Sequence, residues 1–159
     1  MTSTSKKKGV KLIIAGSREC NDYELVKDII EKGISELKIE KISEVVSGAA
    51  NGVDSLGEEW ARRHGYNVVT FPADWKNLKA PNAIIKERYN KWTKKNEKYN
   101  ANAGFQRNKE MAEYADALIA INFNTPGTDN MVKMAKNQGI LVYEYKPEPM
   151  KDDEFDYKF

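Results

Sequence analysis

A doubly wound α/β domain with about five mainly parallel strands is the architecture this sequence predicts, and three observations carry the prediction. Short apolar runs alternate with segments of helical period, as in consecutive βαβ units. The apolar runs end in small or turn-forming residues, with Gly16, Gly48 and Pro72 closing the first three. The chain's 159 residues suit one domain with a sizeable core.

The elements follow in order. VKLIIAG is the first strand, and YELVKDIIEKGISEL is a helix that puts Leu25, Val26, Ile29, Ile30, Ile34 and Leu37 on one face. KISEVVSG is the second strand. GVDSLGEEWARRHG is the second helix, with Val53, Leu56, Trp60 and Ala61 inward and Gly65 as its stop. YNVVTFPADW supplies a third strand. Residues 76–101, which include KNLKAPNAIIKERYNKWTKKNEKYN, are too long for an ordinary connection and read as an insertion. AGFQRNKEMAEYA is a helix, DALIAIN the fourth strand, PGTDNMVKMAKNQG a helix and ILVYEY the fifth strand. The domain is expected to span residues 9–146, with tails at 1–8 and 147–159, the second of them acidic.

Composition narrows the function. With 26 basic against 24 acidic residues the net charge is +2, so no global field points to a polyanion or a membrane. One cysteine, Cys20, and one histidine, His64, cannot assemble a Cys/His metal cluster, and no metal or cofactor is expected. No apolar stretch approaches the ~20 residues of a membrane span, and the opening MTSTSKKKGVKLIIAG lacks an export signal's pattern. The expected location is the cytoplasm.

In a doubly wound sheet ligands lie at the C-terminal strand ends, so the strand exits are where chemistry is sought. The first exit carries Gly16, Ser17 and Arg18. The second carries SGAANGVD, in which Ser47 and Gly48 end the strand, Ala49 and Gly52 let the backbone come close, and a helix begins near Asp54. That helix start suits an anion, although Asp54 would equally serve as its cap. The fourth exit, NTPGTDN, repeats the device with Pro126, Gly127 and Thr128, and Arg107 and Asn108 precede that strand. Glycines at strand exits are commonly turn residues and hydroxyls commonly caps, so only convergence on one ligand gives these residues a shared function. Micromolar binding needs about 8 kcal/mol, whereas one charged hydrogen bond supplies about 1.5 to 3.

IIAGSR, VVSGAANGVDSLGEEWA, FPADW, AGFQRNKEMAEYADALIA and GTDNMVKMA, in this order, resemble the SLOG superfamily, specifically its YspA/YpsA-related branch of bacterial and phage proteins. The resemblance covers roughly residues 10–145. It implies a Rossmann-like fold and a pocket for a nucleotide or nucleotide-derived ligand, bound as a sensor or sequestering module would bind it. The residues it assigns to that pocket are Gly16, Ser17, Arg18, Ser47, Gly48, Asp54, Arg107, Asn108, Gly127 and Thr128. It also makes a homodimer plausible. The related Lonely Guy phosphoribohydrolases cleave an N-glycosidic bond, and FQRNKEMAEYADALIA with PGTDNM looks like their arginine helix and glycine-threonine loop. Adjacent glutamates follow that loop in those enzymes, where this chain has Asn130 and Met131. Hydrolysis would therefore have to use Asp54 or Asp129, with Arg107.

The insertion interleaves Lys86, Arg88, Lys91, Lys94, Lys95 and Lys98 with Tyr89, Trp92 and Tyr99. Its favoured reading is a solvated helix or hairpin packing its aromatics on the domain or on a second subunit. A single-stranded nucleic-acid site is the less favoured alternative, with some support from a distant resemblance to the Rossmann-like DprA. A third reading is a pocket lid, with Asp74 and Trp75 at the rim and Tyr89, Trp92 or Tyr99 stacking on a base. His64 at its helix end, Cys20 and Trp60 read as structural.

Overall fold

The computed structural model describes residues 9–147, so the expected tail at 1–8 and all but the first residue of that at 147–159 lie outside the described residues. Five strands form one parallel sheet: β1 (Val10–Gly16), β2 (Ile42–Ser47), β3 (Asn67–Thr70), β6 (Ala117–Ile121) and β7 (Leu141–Tyr145), in the order β3-β2-β1-β6-β7. The helices are α1 (Tyr23–Glu36), α2 (Val53–Arg63), α3 (Ala103–Tyr114) and α4 (Pro126–Gln138). This is the Rossmann-like doubly wound α/β fold that the sequence predicts, and all five strands are parallel.

The two-residue period of β1 explains the layering. Leu12 and Ile14 point into a core shared with Val26 and Ile30 of α1 and Val53 and Trp60 of α2. Ile13 and Ala15 face the opposite way, into a core with Met111 and Ala112 of α3 and Met131 and Ala135 of α4. Both faces of the central strands are covered, which is why ALIAI of β6 is buried at every position.

Strand order reverses between β1 and β6, where Gly16 pairs in register with Ile121. The crossover from β3 to β6 carries the insertion, which contains two strands of its own, β4 (Ile85–Asn90) and β5 (Lys95–Asn100), paired antiparallel as a separate hairpin. Of the two shapes expected for the insertion, the hairpin is the one present.

Asn100 anchors the hairpin's base. Its backbone N–H donates to Trp75 O at 2.7 Å, while its fully buried side-chain Oδ1 accepts from Ile84 N at 3.1 Å and Asn102 N at 3.0 Å. Trp60 is core, as expected, and His64 Nδ1 lies 2.8 Å from Trp60 O.

Candidate functional site

The switch in strand order opens into a cavity of about 470 Å³. Gly16, Ser17 and Arg18 line it from the β1 exit, Asp54 from α2, Arg107 and Asn108 from α3, and Gly127 and Thr128 from the start of α4. Four segments distant in sequence thus meet around one volume. Trp75, Phe105, Met111, Phe123 and Met131 supply an apolar part of the wall.

Arg107 is the organising side chain. Its Nη1 donates to Gly48 O and, at 3.3 Å, to Phe71 O, so it fastens the exits of β2 and β3 together. Its Nε donates to Asn108 Oδ1 at 3.0 Å. Asn108 passes the connection on, because its Nδ2 donates to Gly127 O at 3.2 Å and to Asn130 Oδ1 at 3.0 Å. One hydrogen-bonded chain therefore runs from the β2 exit to the first turn of α4. Burial pushes the Arg107 pKa down from its ordinary value, Asp54 opposes that shift, and Arg18 adds to it. The two guanidinium groups repel one another across the site, an arrangement that an anion between them would relieve. Arg18 is exposed and lies over the Trp75 ring, 5.5 Å from its centroid.

Asp54 is buried on the same wall. Its Oδ2 accepts from Ala50 N at 3.3 Å, and Gly16 contributes a second backbone hydrogen bond. Burial pushes its carboxyl up to about 6; Arg107 and the two backbone donors pull it down, and Glu58 pushes it further up. A carboxyl in that range changes charge near neutral pH.

The start of α4 is open by contrast. Thr125 occupies the N-cap position without a side-chain cap, Pro126 has no N–H, and the amides of Gly127 and Thr128 fall in the first turn, where no intrahelical acceptor exists. Gly127 is exposed, with nothing within 4 Å of where a Cβ would stand. Thr128 is buried, its Oγ1 lying 2.8 Å from Thr125 Oγ1.

Other expected residues sit elsewhere. Ser47 is behind the cavity, donating from Oγ to Glu58 Oε2 at 2.7 Å and accepting from Ala49 N at 3.1 Å. Gly48 is wedged between Arg107 and Asp54, where a Cβ would overlap the guanidinium and stand 2.8 Å from Asp54 Oδ2. Gly16 lets β1 close against Ile121 O, and Gly52, at φ 74°, lies against Ser17 O. Ala49 forms the turn between them at φ 59°. Of these, Gly16 also lines the cavity, while Ser47, Gly48, Ala49 and Gly52 lie outside the lining and shape it from behind.

Asp129 is outside the lining, held by Asn122 Nδ2 at 2.7 Å. Asn130, at a position that invites comparison with a catalytic glutamate, is the partner of Asn108. Asp74 lines a neighbouring groove, and Tyr89, Trp92 and Tyr99 line neither. Of the expected rim and lid residues, Trp75 alone reaches the cavity.

Sequence reasoning missed Asn122, which is fully buried. Its Nδ2 also donates to Glu144 Oε2 at 2.8 Å, and its Oδ1 accepts from Asn124 N at 2.9 Å and Thr125 N at 3.3 Å, fixing the loop that leads into α4. An asparagine directly after a wholly apolar strand was the available signal.

DNA processing protein A from Streptococcus pneumoniae has a similar structure, with a TM-score of 0.59 and 20% identity. The alignment covers 96% of this chain and 55% of that one, so the likeness concerns the fold over about half of the larger protein. No curated protein matches the chain significantly. No helix among the described residues is long and apolar enough to cross a membrane. Residues 10–78, which hold the first two exits, the Asp54 helix and Trp75, match the YspA, cpYpsA-related SLOG family, so the resemblance read from the sequence is found over that part of a chain with a Rossmann-like fold.

Proposed function

We propose that the cavity binds a small anionic ligand of the nucleotide or nucleotide-derived class, held without turnover as in a sensor or sequestering module. The observation that carries this reading is convergence: Arg18, Arg107 and the first-turn residues Gly127 and Thr128 line one volume of about 470 Å³. That volume is within the ordinary range for small-molecule sites. The phosphate belongs at the α4 start, between the guanidinium groups, and the base belongs against Trp75 and Phe105. The match of residues 10–78 to a SLOG family supports a nucleotide-related ligand. No bound cofactor enters this reading.

Asp54 favours a second reading, N-glycosidic hydrolysis of a nucleoside monophosphate. It is a buried carboxyl in the lining with a pKa near 6, suited to proton transfer. Asp129 is not available for that role, being tied to Asn122 outside the lining.

Native mass spectrometry of the protein with a panel of nucleotides and nucleotide-derived signals tests both readings. Intact ligand retained by wild type and lost in Arg18→Ala is the expected result. Recovery of free base and ribose phosphate would replace binding with hydrolysis, and retention of nothing would remove the cavity reading.

A further inference from the structure

We infer that the β4–β5 hairpin is a docking arm for single-stranded nucleic acid, separate from the cavity. The hairpin forms its own two-stranded sheet, and its side chains are exposed along nearly its whole length. Trp92 at the tip is 95% exposed and Tyr89 on β4 is 57% exposed. Aromatics packed on the domain, as the solvated-element reading expects, would be covered; these are not.

The charge on the arm is one-sided. Lys86, Arg88, Lys91, Lys94, Lys95 and Lys98 face only Glu87 and Glu97, in a chain whose whole balance is +2. Glu97 Oε1 accepts hydrogen bonds from Asn90 Nδ2 at 3.0 Å and Thr93 Oγ1 at 3.3 Å. None of the six cations makes an ion pair among the described residues. A second copy of the arm would bring like charges together, whereas a polyanion would neutralise them.

The tip is held in one shape. Asn90 Oδ1 accepts from Trp92 N at 2.8 Å and Thr93 N at 3.2 Å, Asn90 O accepts from Lys94 N at 2.8 Å, and Lys94 closes the turn at φ 58°. Trp92 is thus presented by an ordered turn with Lys91, Lys94 and Lys95 around it, which lowers the entropy lost on stacking. Arg88 lies over Tyr99, 5.2 Å from the ring centroid, giving the strands a second planar element. Flat π faces beside phosphate-binding cations match unstacked bases on a single strand. A duplex hides those base faces.

The test is fluorescence anisotropy of a labelled oligodeoxythymidylate with the full chain, compared with the same sequence as duplex and repeated across salt concentrations. The inference expects tighter binding of the single strand, a roughly ten-fold loss in Trp92→Ala, and a shallower salt dependence when Lys91, Lys94 and Lys95 become Gln. Both variants alter exposed tip residues, and circular dichroism checks that each is folded. Absence of binding at low salt overturns the inference. Equal binding of single strand and duplex with no effect of Trp92→Ala overturns it too, as a merely electrostatic contact. So does a dimer, seen by sedimentation, that Trp92→Ala dissociates, which would assign the arm to a second copy of the chain.

Discussion

Two helices begin at the cavity, and their first turns differ in a way their sequences conceal. SGAANGVD and NTPGTDN both place glycine before or within a helix start at a strand exit. Neither helix has a side-chain cap, but the start of α2 is fastened to its neighbours: Asp54 accepts the Ala50 and Gly16 amides, and Val53 N donates to Ser17 O at 3.0 Å. At α4 no side chain caps the helix, and Gly127 faces open space. Two similar sequences thus end differently: one helix start is fastened to the β1 exit and the other is left open. The first device braces the cavity, and the second is the end assigned to the proposed ligand.

The largest expected effect comes from the braced end. Gly52→Ala should cost about 3 kcal/mol of stability, since φ 74° with ψ −129° is glycine backbone and the new methyl would meet Ser17 O. Urea unfolding measures it, and a near-neutral result would mean that the α2 loop is not a fixed brace.

Arg107→Ala should weaken ligand binding roughly 30-fold, about 2 kcal/mol, by titration calorimetry. It removes a charge from the cavity and breaks the chain from Gly48 through Asn108 to Gly127. An unchanged affinity would disconnect the two helix ends.

Asp54 gives the third effect. Its folded pKa of about 6 lies above the unfolded 3.8, so the folded state keeps a proton that the unfolded state has released. Stability should therefore fall by about 2 kcal/mol as pH rises from near 4 to above 6, and Asp54→Asn should flatten that loss. Affinity for an anion should fall over the rise through pH 6 in wild type and stay level in Asp54→Asn. A wild-type profile without this slope would show that the brace does not sense charge. Gly127→Ala is the smallest change, within about 0.5 kcal/mol by the same unfolding measurement, because the added methyl meets nothing.

The main sheet was legible because its signals are local. ALIAI and VKLIIAG are apolar runs that only a doubly covered strand explains, and helical spacing places Val26 and Ile30 inward. The hairpin's strands, IKERYN and KNEKYN, lack apolar alternation because neither face is buried, so pairing alone defines them. Part of the cavity lining was legible, in Gly16, Arg18, Arg107 and Gly127. Which of the other candidates lie outside it was not, since that depends on remote partners: Glu58 takes Ser47, and Asn122 takes Asp129. Such pairings join residues across a folded volume and leave no periodic trace.

The seam that holds the cavity is also the longest-range strand pairing in the sheet. β1 meets β6 across 105 residues, the separation of Lys11 from Asp116, whose Oδ2 accepts Lys11 N at 3.0 Å. Loop closure over that length is slow, while the hairpin arm pairs locally within microseconds. A ligand at the seam finds its site only once this closure is made, so it should act on the way out of the native state. It should lengthen the folded protein's lifetime and leave the refolding rate nearly untouched.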